Sequence, residues 1–285
     1  MPIGNHRHLP FKPVGLLAAA SLLVISACGS TASSGSGVAP DQIAQASTLQ
    51  SVLHKNELRA ALCLDYPPFG LSSSSGAPEG FDVDVAAAMA KALGVKLTVV
   101  PTTPANRIPT LQTGKADVVL CTMDPTSERA KTVLFSNPYV VGGQVLLSKK
   151  GSGINSAADL SGKTVAVIKG STNIAALQAA NSKATAQAFD DESAAVLAVK
   201  QGKVDALVDY SPFLGYEVKQ DPTLQVTSQS VVPLEYEGLA IKQGDGVWRD
   251  WIDQFLLNSS VDGTLHDLNV KWMGMPSPYS LTPSQ

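Results

Sequence analysis

The spacing of hydrophobic positions changes repeatedly along the chain, most abruptly at residues 81–85. There FDVDV alternates apolar and acidic residues as a strand would, and the apolar residues then continue at helical intervals up to Gly94. Asp82 and Asp84 stand at the junction, where carboxylates can cap free backbone N–H groups and favour the positive end of the helix dipole. The pattern therefore predicts a helix over 81–94 that is capped by its own aspartates.

The same alternation of strand and helix runs through the chain twice. Predicted strands are short apolar runs at 58–64, 95–100, 116–121, 163–168, 184–189 and 204–209. Predicted helices lie at 81–94, 105–114, 171–180 and 191–202, and an extended segment at 234–244 precedes one or two closing helices. Strands that alternate with helices form parallel βαβ units, so two sets of units imply two lobes. We expect strand order 2-1-3 in each lobe, with ligands at the carboxyl ends of the first and third strands.

The N-terminal residues are typical of an export signal rather than of a folded domain. Arg7 and Lys12 precede an uncharged run over 14–27, which is too short to span a bilayer as a helix. Small residues lead to Cys28 and a Gly/Ser/Thr-rich stretch follows, a pattern that resembles a bacterial lipobox. Lipidation of Cys28 would anchor the exported protein at a membrane. We expect it on the outer face of the cell membrane or in the periplasm. An ordinary secretory signal with an incidental cysteine is the alternative.

Composition and charge restrict the possible partners. The chain has 21 Lys and Arg residues against 24 Asp and Glu residues, and without residues 1–27, which hold two cations and no acid, its net charge is −5. This balance, with no basic run, argues against nucleic acid. The remaining length of about 235 residues suffices for two domains. Cys63 and Cys121 are left as an even pair in an oxidising compartment.

Five segments follow one another in an order that one protein family shares. They are YPPFG at 66–70, GFDVDVAAAMAKAL at 80–93, TLQTGKADVVLCTM at 110–123, TSERAKTVLFSNPY at 126–139 and LSGKTVAVIKGST at 160–172. Over roughly residues 50–275 the chain thus resembles family 3 of the solute-binding proteins, the amino-acid receptors of bacterial ABC importers. The resemblance implies an α/β, two-lobed periplasmic-binding-protein fold, in which each lobe is a parallel-type sheet flanked by helices and a hinge crosses between the lobes twice. We then expect a signal peptide at 1–27, a flexible tether at 28–47, a first lobe at 48–140 and 236–285, and a second lobe at 141–235.

The resemblance also implies ligand-binding residues in the first lobe. Arg129 of TSER occupies the position that grips the ligand's α-carboxylate, for which a planar guanidinium is well suited. The alternative is a surface arginine paired with Glu128 or Asp124. Thr122 occupies a ligand-contact position, and Tyr66 matches the aromatic residue that stacks on the ligand side chain or, alternatively, only lines the lobe surface.

In the second lobe, Ser171, Thr172 and Asn173 follow a predicted strand and open a helix. Their hydroxyls and free N–H groups can bind an anion, and one hydroxyl can also serve as an ordinary helix cap. The aspartate that holds the ligand's α-ammonium falls at either Asp209 or Tyr210, depending on the length of the preceding strand. That choice stays open.

Several positions depart from the family pattern. Cys63 stands where an aspartate is often found, Asp124 where a serine or threonine is, and Pro104 where a second aromatic residue is expected. Asp124 either pairs with a cationic ligand group or caps its own loop towards Ser127 or Glu128, as an Asx-turn would. Arg107, at the start of a helix beside the cleft, is expected to be exposed to solvent.

Cys63 and Cys121 are expected to lie close together. They stand near the ends of the first and third strands, which order 2-1-3 makes neighbours about 4.8 Å apart, within reach of a disulfide. A bridge and two free thiols remain the alternatives. The resemblance places both positions against the ligand side chain.

The chain is identified as the binding component of an importer, which closes on a small zwitterion and delivers it to a membrane permease. We expect no cofactor, no metal and no catalytic residue, and a monomer. The alternative is an exported enzyme like the cyclohexadienyl dehydratases, with Asp124 or Glu237 as general acid. A sensory domain is a third, less favoured class. None of the four histidines stands in the cleft segments.

Overall fold

The computed structural model describes residues 46–275. The predicted signal peptide, the tether up to residue 45 with Cys28, and the tail from Pro276 onward lie outside the described residues. The described helices are α1 Thr48–Lys55, α2 Phe81–Leu93, α3 Arg107–Gln112, α4 Asn173–Ala180, α5 Glu192–Gln201, α6 Ser211–Gln220, α7 Gly246–Val261 and α8 Thr264–Met273. The described strands are β1 Glu57–Cys63, β2 Asp65–Tyr66, β3 Gly70–Ser72, β4 Pro78–Glu79, β5 Lys96–Thr102, β6 Val118–Met123, β7 Val133–Gly142, β8 Gln144–Lys149, β9 Thr164–Ile168, β10 Thr185–Phe189, β11 Ala206–Tyr210, β12 Leu224–Val226 and β13 Glu235–Lys242.

Two five-stranded sheets form the two lobes. The first sheet has the order β5-β1-β6-β13-β7 and the second the order β10-β9-β11-β8-β12. In each sheet the three strands predicted from the sequence are parallel and lie in the order 2-1-3, which confirms that prediction. Two further strands in each sheet run antiparallel to their neighbours, β13 against β6 and β7, and β8 against β11 and β12. We call the first sheet with its helices the first lobe and the second sheet with α4, α5 and α6 the second lobe.

Two neighbouring connections join the lobes. The chain leaves the first sheet at Gly142 and enters the second at Gln144, and it returns to the first sheet at Glu235. Glu235 pairs with Gly142 in the antiparallel ladder of β13 and β7, so the two connections run side by side. This paired segment is the hinge, and everything between its two strands belongs to the second lobe.

The start of α2 differs from its prediction in one respect. Its extent agrees, but Gly80 precedes the helix with a φ of 133°, and neither aspartate caps it. Asp82 is buried and accepts hydrogen bonds from the Tyr139 hydroxyl (2.8 Å) and the Thr122 backbone. Asp84 accepts from the side chains of α8, at 2.7 Å from both Lys271 Nζ and Trp272 Nε1. The prediction of aspartate caps is therefore wrong, because both carboxylates point towards neighbouring elements.

The hydrophobic core runs without a break from the first lobe into the inner part of the second. Trp248 of α7 is fully buried in it, and its indole N–H donates to the carbonyl of Asp117 at 3.0 Å. A separate, smaller cluster fills the outer part of the second lobe around Val165 and Val208. The continuous core places the ends of β1, β6, β9 and β11 opposite one another, where the predicted site residues stand.

Candidate functional site

A small cavity of about 30 Å³ lies between the lobes. Its walls include seven of the predicted ligand-binding residues, namely Thr122, Asp124, Ser171, Thr172, Asn173, Asp209 and Tyr210. The other four, Cys63, Tyr66, Cys121 and Arg129, stand behind or beside these walls. Topology alone thus brings most of the predicted set together, because the carboxyl ends of the parallel strands meet at the cleft.

Cys63 and Cys121 form a disulfide with their Cα atoms 5.3 Å apart. The predicted proximity is confirmed, and of the two alternatives left open the structure has the bridge. Both residues are buried, at 3% and 2% exposure, and they do not line the cavity. The disulfide therefore ties together two adjacent strands of the first sheet beneath the site.

Arg107 contradicts its prediction, because it is buried with 3% exposure and lines the cavity. Its Nη1 donates to the carbonyls of Cys121 (2.5 Å) and Thr122 (2.9 Å), at the end of β6. Its Nη2 donates to the carbonyl of Gly170 in the second lobe at 3.3 Å. Burial, reinforced by the nearby charge of Arg129, lowers the pKa of Arg107 to about 10. The first turn of α3 faces the end of β6, which turns this side chain inward.

Arg129 approaches the same carbonyl from the first lobe. Its Nη2 donates to Gly170 O at 2.9 Å, while its Nη1 lies 2.9 Å from the carbonyl and 3.2 Å from the carboxylate of Asp124. The Asp124 carboxylate thus faces Arg129 rather than the loop amides of Ser127 and Glu128. Two guanidinium groups therefore converge on one carbonyl across the cleft.

Gly170 makes this convergence possible. Its φ is +79°, a region that L side chains rarely adopt. A Cβ atom there would lie 2.6 Å from Ala105 Cα and 2.7 Å from Pro104 O, both in the first lobe. Only glycine allows the two lobes to approach so closely at this point.

Ser171, Thr172 and Asn173, at the start of α4, are predicted both to face a ligand and to cap the helix. In the structure these two roles fall to different residues. Ser171 Oγ accepts from the Asn173 N–H at 3.1 Å, which satisfies a free amide at the helix entrance. Thr172 turns its hydroxyl towards the cavity, where it donates to Asp124 Oδ2 (3.1 Å) and accepts from Gln144 Nε2 (2.8 Å). The Asn173 side chain is buried and binds the Ile168 N–H, so it fixes the turn before the helix.

Asp209 and Tyr210 both line the cavity, at the end of β11. Asp209 Oδ1 accepts from the Tyr66 hydroxyl (2.8 Å) and from the Tyr210 N–H (2.7 Å), whereas Oδ2 has no partner among the described residues. Burial raises the pKa of Asp209 to about 6. Asp209 thus offers one carboxylate oxygen to a ligand, and its assignment to the α-ammonium stays a prediction.

Three further acids line the cavity although they are not among the predicted ligand residues: Glu192, Glu235 and Glu237. Burial, with repulsion from Asp124, raises the pKa of Glu235 to about 7 and that of Glu237 well above its usual range. Burial and the charge of Asp209 likewise raise the pKa of Glu192. Two acids two residues apart on an extended segment lie on the same face of it. The spacing of Glu235 and Glu237 was therefore a signal in the sequence that could have placed them together.

The cavity is consequently acidic, with five carboxylates and one arginine on its walls. One carboxylate oxygen from each of Asp124, Glu235 and Glu237 lies within 4.8 Å of the other two, a set that could hold a cation. Within residues 46–275, no helix has both the length and the apolar character needed to cross a membrane.

Comparison with known proteins identifies the family to which this architecture belongs. The family model for bacterial extracellular solute-binding proteins, family 3, matches residues 58–275. The glutamine-binding protein GlnH of a Bacillus subtilis ABC transporter is 32% identical over 265 residues, which cover 91% of this chain and 96% of that protein.

Solved structures agree with the family match. A mutant of the arginine-binding protein ArgBP from T. maritima aligns with a TM-score of 0.75 and 33% identity, over 80% of this chain and 99% of that one. The ancestral amino acid-binding protein AncCDT-1, a precursor of cyclohexadienyl dehydratase, aligns with a TM-score of 0.75 and 38% identity, over 80% of this chain and all of that one. The two-lobed fold and the ordered motifs have one explanation: the chain belongs to family 3 of the bacterial extracellular solute-binding proteins.

Proposed function

We propose that this protein is the extracytoplasmic substrate-binding component of an ABC importer and that it binds an amino acid or a related small zwitterion between its lobes. The observation that carries the proposal is the pairing of opposite charges across the cleft: Arg107 on the cavity wall and Arg129 beside it belong to the first lobe, and the carboxylate of Asp209 belongs to the second. A zwitterion presents the complementary pair of charges. Relatives that bind glutamine and arginine support the same class of ligand.

Binding would exchange contacts that the protein makes with itself for contacts with the ligand. The carbonyl of Gly170 accepts hydrogen bonds from both Arg107 and Arg129 in this structure. A ligand carboxylate is a stronger acceptor for guanidinium than a neutral carbonyl is, so it would take over these donors. The ligand ammonium would bind Asp209. Each lobe then supplies one half of the site, and the ligand favours the closed state of the hinge.

We propose that the protein binds its ligand without altering it. The enzymatic alternative has a structural basis in Glu237, a buried acid whose raised pKa would suit a proton donor. The ancestral amino acid-binding protein that is named as a precursor of cyclohexadienyl dehydratase supports this alternative. Ligand that is recovered chemically unchanged after prolonged incubation, as judged by mass spectrometry, supports binding alone. A new product that Glu237→Gln abolishes would establish catalysis.

Export and anchoring form a separate part of the proposal. Cys28 would carry the lipid and hold a monomeric domain at the membrane, next to the permease. In cells, wild-type protein should partition into the detergent phase of a phase-separation assay, and Cys28→Ala should release it into the aqueous phase. Equal partitioning of the two would refute lipidation at this position.

The role of Arg129 provides the direct test of ligand binding. A panel of amino acids is titrated calorimetrically into wild-type protein, Arg129→Ala and Arg249→Ala. Loss of a charge-assisted contact within a buried site costs about 2–5 kcal/mol, so Arg129→Ala should abolish detectable binding. Arg249 is the matched control because it lies on the surface and pairs with Asp250. Full affinity in Arg129→Ala would contradict the assignment.

A further inference from the structure

The wall of the cavity next to the hinge carries three carboxylates that the α-amino and α-carboxylate groups of a ligand do not explain. Asp124 comes from the end of β6, and Glu235 and Glu237 from the same face of β13. One oxygen of each lies within 4.8 Å of the other two. We call these three residues the hinge acids.

Two of the hinge acids have oxygens without a partner. Glu237 is 3% exposed, and its Oε2 has no hydrogen-bond partner among the described residues, nor has the buried Oδ1 of Asp124. A buried polar atom that lacks a partner is costly, and native proteins rarely keep one without a reason. Glu235 differs, because both its oxygens accept from Gln144 Nε2 at 2.9 Å. A ligand group that donates hydrogen bonds would satisfy these oxygens.

The charges nearby do not neutralise this cluster. Arg129 contacts Asp124 Oδ2 at 3.2 Å and also donates to the carbonyls of Asp124 and Gly170, while Arg107 donates to carbonyls of both lobes. Burial, with repulsion between the carboxylates as a second cause, raises the pKa values of Glu235 and Glu237, although the charge of Arg107 acts in the opposite direction on the pKa of Glu237. A cation that enters from outside would relieve this repulsion.

The geometry favours a primary ammonium group. An ammonium nitrogen has three N–H donors, one for each carboxylate. A nitrogen about 2.8 Å from three acceptors at tetrahedral angles holds those acceptors about 4.6 Å apart. One oxygen of each hinge acid lies within 4.8 Å of the other two, so the cluster is small enough for one ammonium group to reach all three. A divalent metal ion usually takes six or more oxygen ligands. Here Arg129 already contacts Asp124, and the side-chain amide of Gln144 already binds Glu235. The cluster therefore offers fewer free oxygens than a divalent metal ion usually takes.

We propose that the hinge acids form a second ammonium-binding subsite, so that the ligand is an amino acid with an amino group at the end of its side chain. The proposal rests on the proposed function and narrows its ligand class. Asp209 binds the α-ammonium in the second lobe, while Asp124 and Glu237 bind the terminal ammonium beside the hinge.

A comparison of L-lysine with L-norleucine tests the subsite. The two amino acids have the same α-groups and straight side chains, but norleucine ends in an apolar methyl group where lysine carries its ammonium. Calorimetric titration of the wild-type protein should show lysine binding at least about 30-fold more tightly, the usual scale for one partner of a buried charge pair. Glu237→Gln should remove most of this preference, because it should weaken lysine binding far more than norleucine binding. Asp250→Asn, at a side chain that is 69% exposed, should change neither affinity.

Three further probes separate the possible failures. Circular dichroism checks whether Glu237→Gln folds. If it does not, Asp124→Asn is the second variant, with the same expected loss of the preference for lysine. Equal affinity for lysine and norleucine would overturn the subsite and leave amino-acid binding intact. If the protein binds 1,5-diaminopentane but no amino acid of the panel, the subsite is upheld and the proposed function is refuted. Stabilisation by MgCl₂ or CaCl₂, abolished by Glu237→Gln and not produced by lysine, would show a metal site instead.

Discussion

The Tyr66 hydroxyl lies 2.8 Å from Asp209 Oδ1, and this hydrogen bond crosses the cleft between the lobes. Tyr66 follows β1 in the first lobe, and Asp209 stands near the end of β11 in the second. The Tyr66 ring also packs 4.6 Å from that of Phe213, at the start of α6. One side chain of the first lobe therefore both orients the carboxylate expected to bind the ammonium and stabilises closure.

Substitution of Tyr66 should shift the equilibrium between open and closed states. Tyr66→Phe keeps the ring contact and removes a buried hydrogen bond to a carboxylate, a contribution of about 1.5–3 kcal/mol. We expect a larger radius of gyration by small-angle scattering without added ligand, together with weaker ligand binding. Tyr216→Phe, outside the cavity, is the matched control. An unchanged radius and affinity in Tyr66→Phe would show that the bond does not hold the lobes together.

Arg107 should contribute strongly to stability although its sequence position predicts a surface residue. Arg107→Ala leaves buried carbonyls without donors and takes a cation from an acidic cavity. The expected loss is about 3–5 kcal/mol, or roughly 6–20 °C in melting temperature for a protein of this size. Arg249→Ala, at an exposed site, should shift the melting temperature by less than about 2 °C. Comparable small shifts in both variants would contradict the buried role of Arg107.

The disulfide should be present in exported protein. Denatured, unreduced protein that carries Cys28→Ala should show no reactive thiol, and two should appear after reduction. Loss of the bridge in the Cys63→Ser, Cys121→Ser double variant should cost about 2–4 kcal/mol, the usual range for a disulfide. Two reactive thiols before reduction would rule the bond out.

Stability should fall as pH rises from 5 to 8. Burial raises the pKa values of Asp82 and Glu235 to about 7 and that of Asp209 to about 6, above those of the unfolded chain. In this window the native state holds more protons than the unfolded state, so deprotonation lowers the free energy of unfolding. Thermal melts without ligand should show the higher melting temperature at pH 5. Glu235→Gln should reduce the difference, and a higher melting temperature at pH 8 would contradict the assignment.

The sequence predicts the backbone better than the direction of individual side chains. Hydrophobic spacing sufficed for the six predicted strands, four of which are largely buried in the structure, whereas β5 and β10 lie at the sheet edges and are more exposed. The helix α6 was not predicted, since Pro212 and Gly215 interrupt its pattern. Asp82 and Arg107 could not be placed from local pattern, because their partners Tyr139 and Cys121 lie on other elements. Such contacts depend on how the elements pack, which spacing alone does not encode.

Strand β13 lies between β6 and β7 in the first sheet, although the whole second lobe separates it from β7 in the chain. The second sheet, by contrast, is built from one continuous stretch of residues. During synthesis the second lobe can therefore complete its pairing while the first sheet still lacks a strand between β6 and β7. Arrival of β13 fills that gap and delivers Glu235 and Glu237 in the same step. The chain therefore carries every strand of the second sheet before it carries every strand of the first, and the site between the lobes needs both sheets.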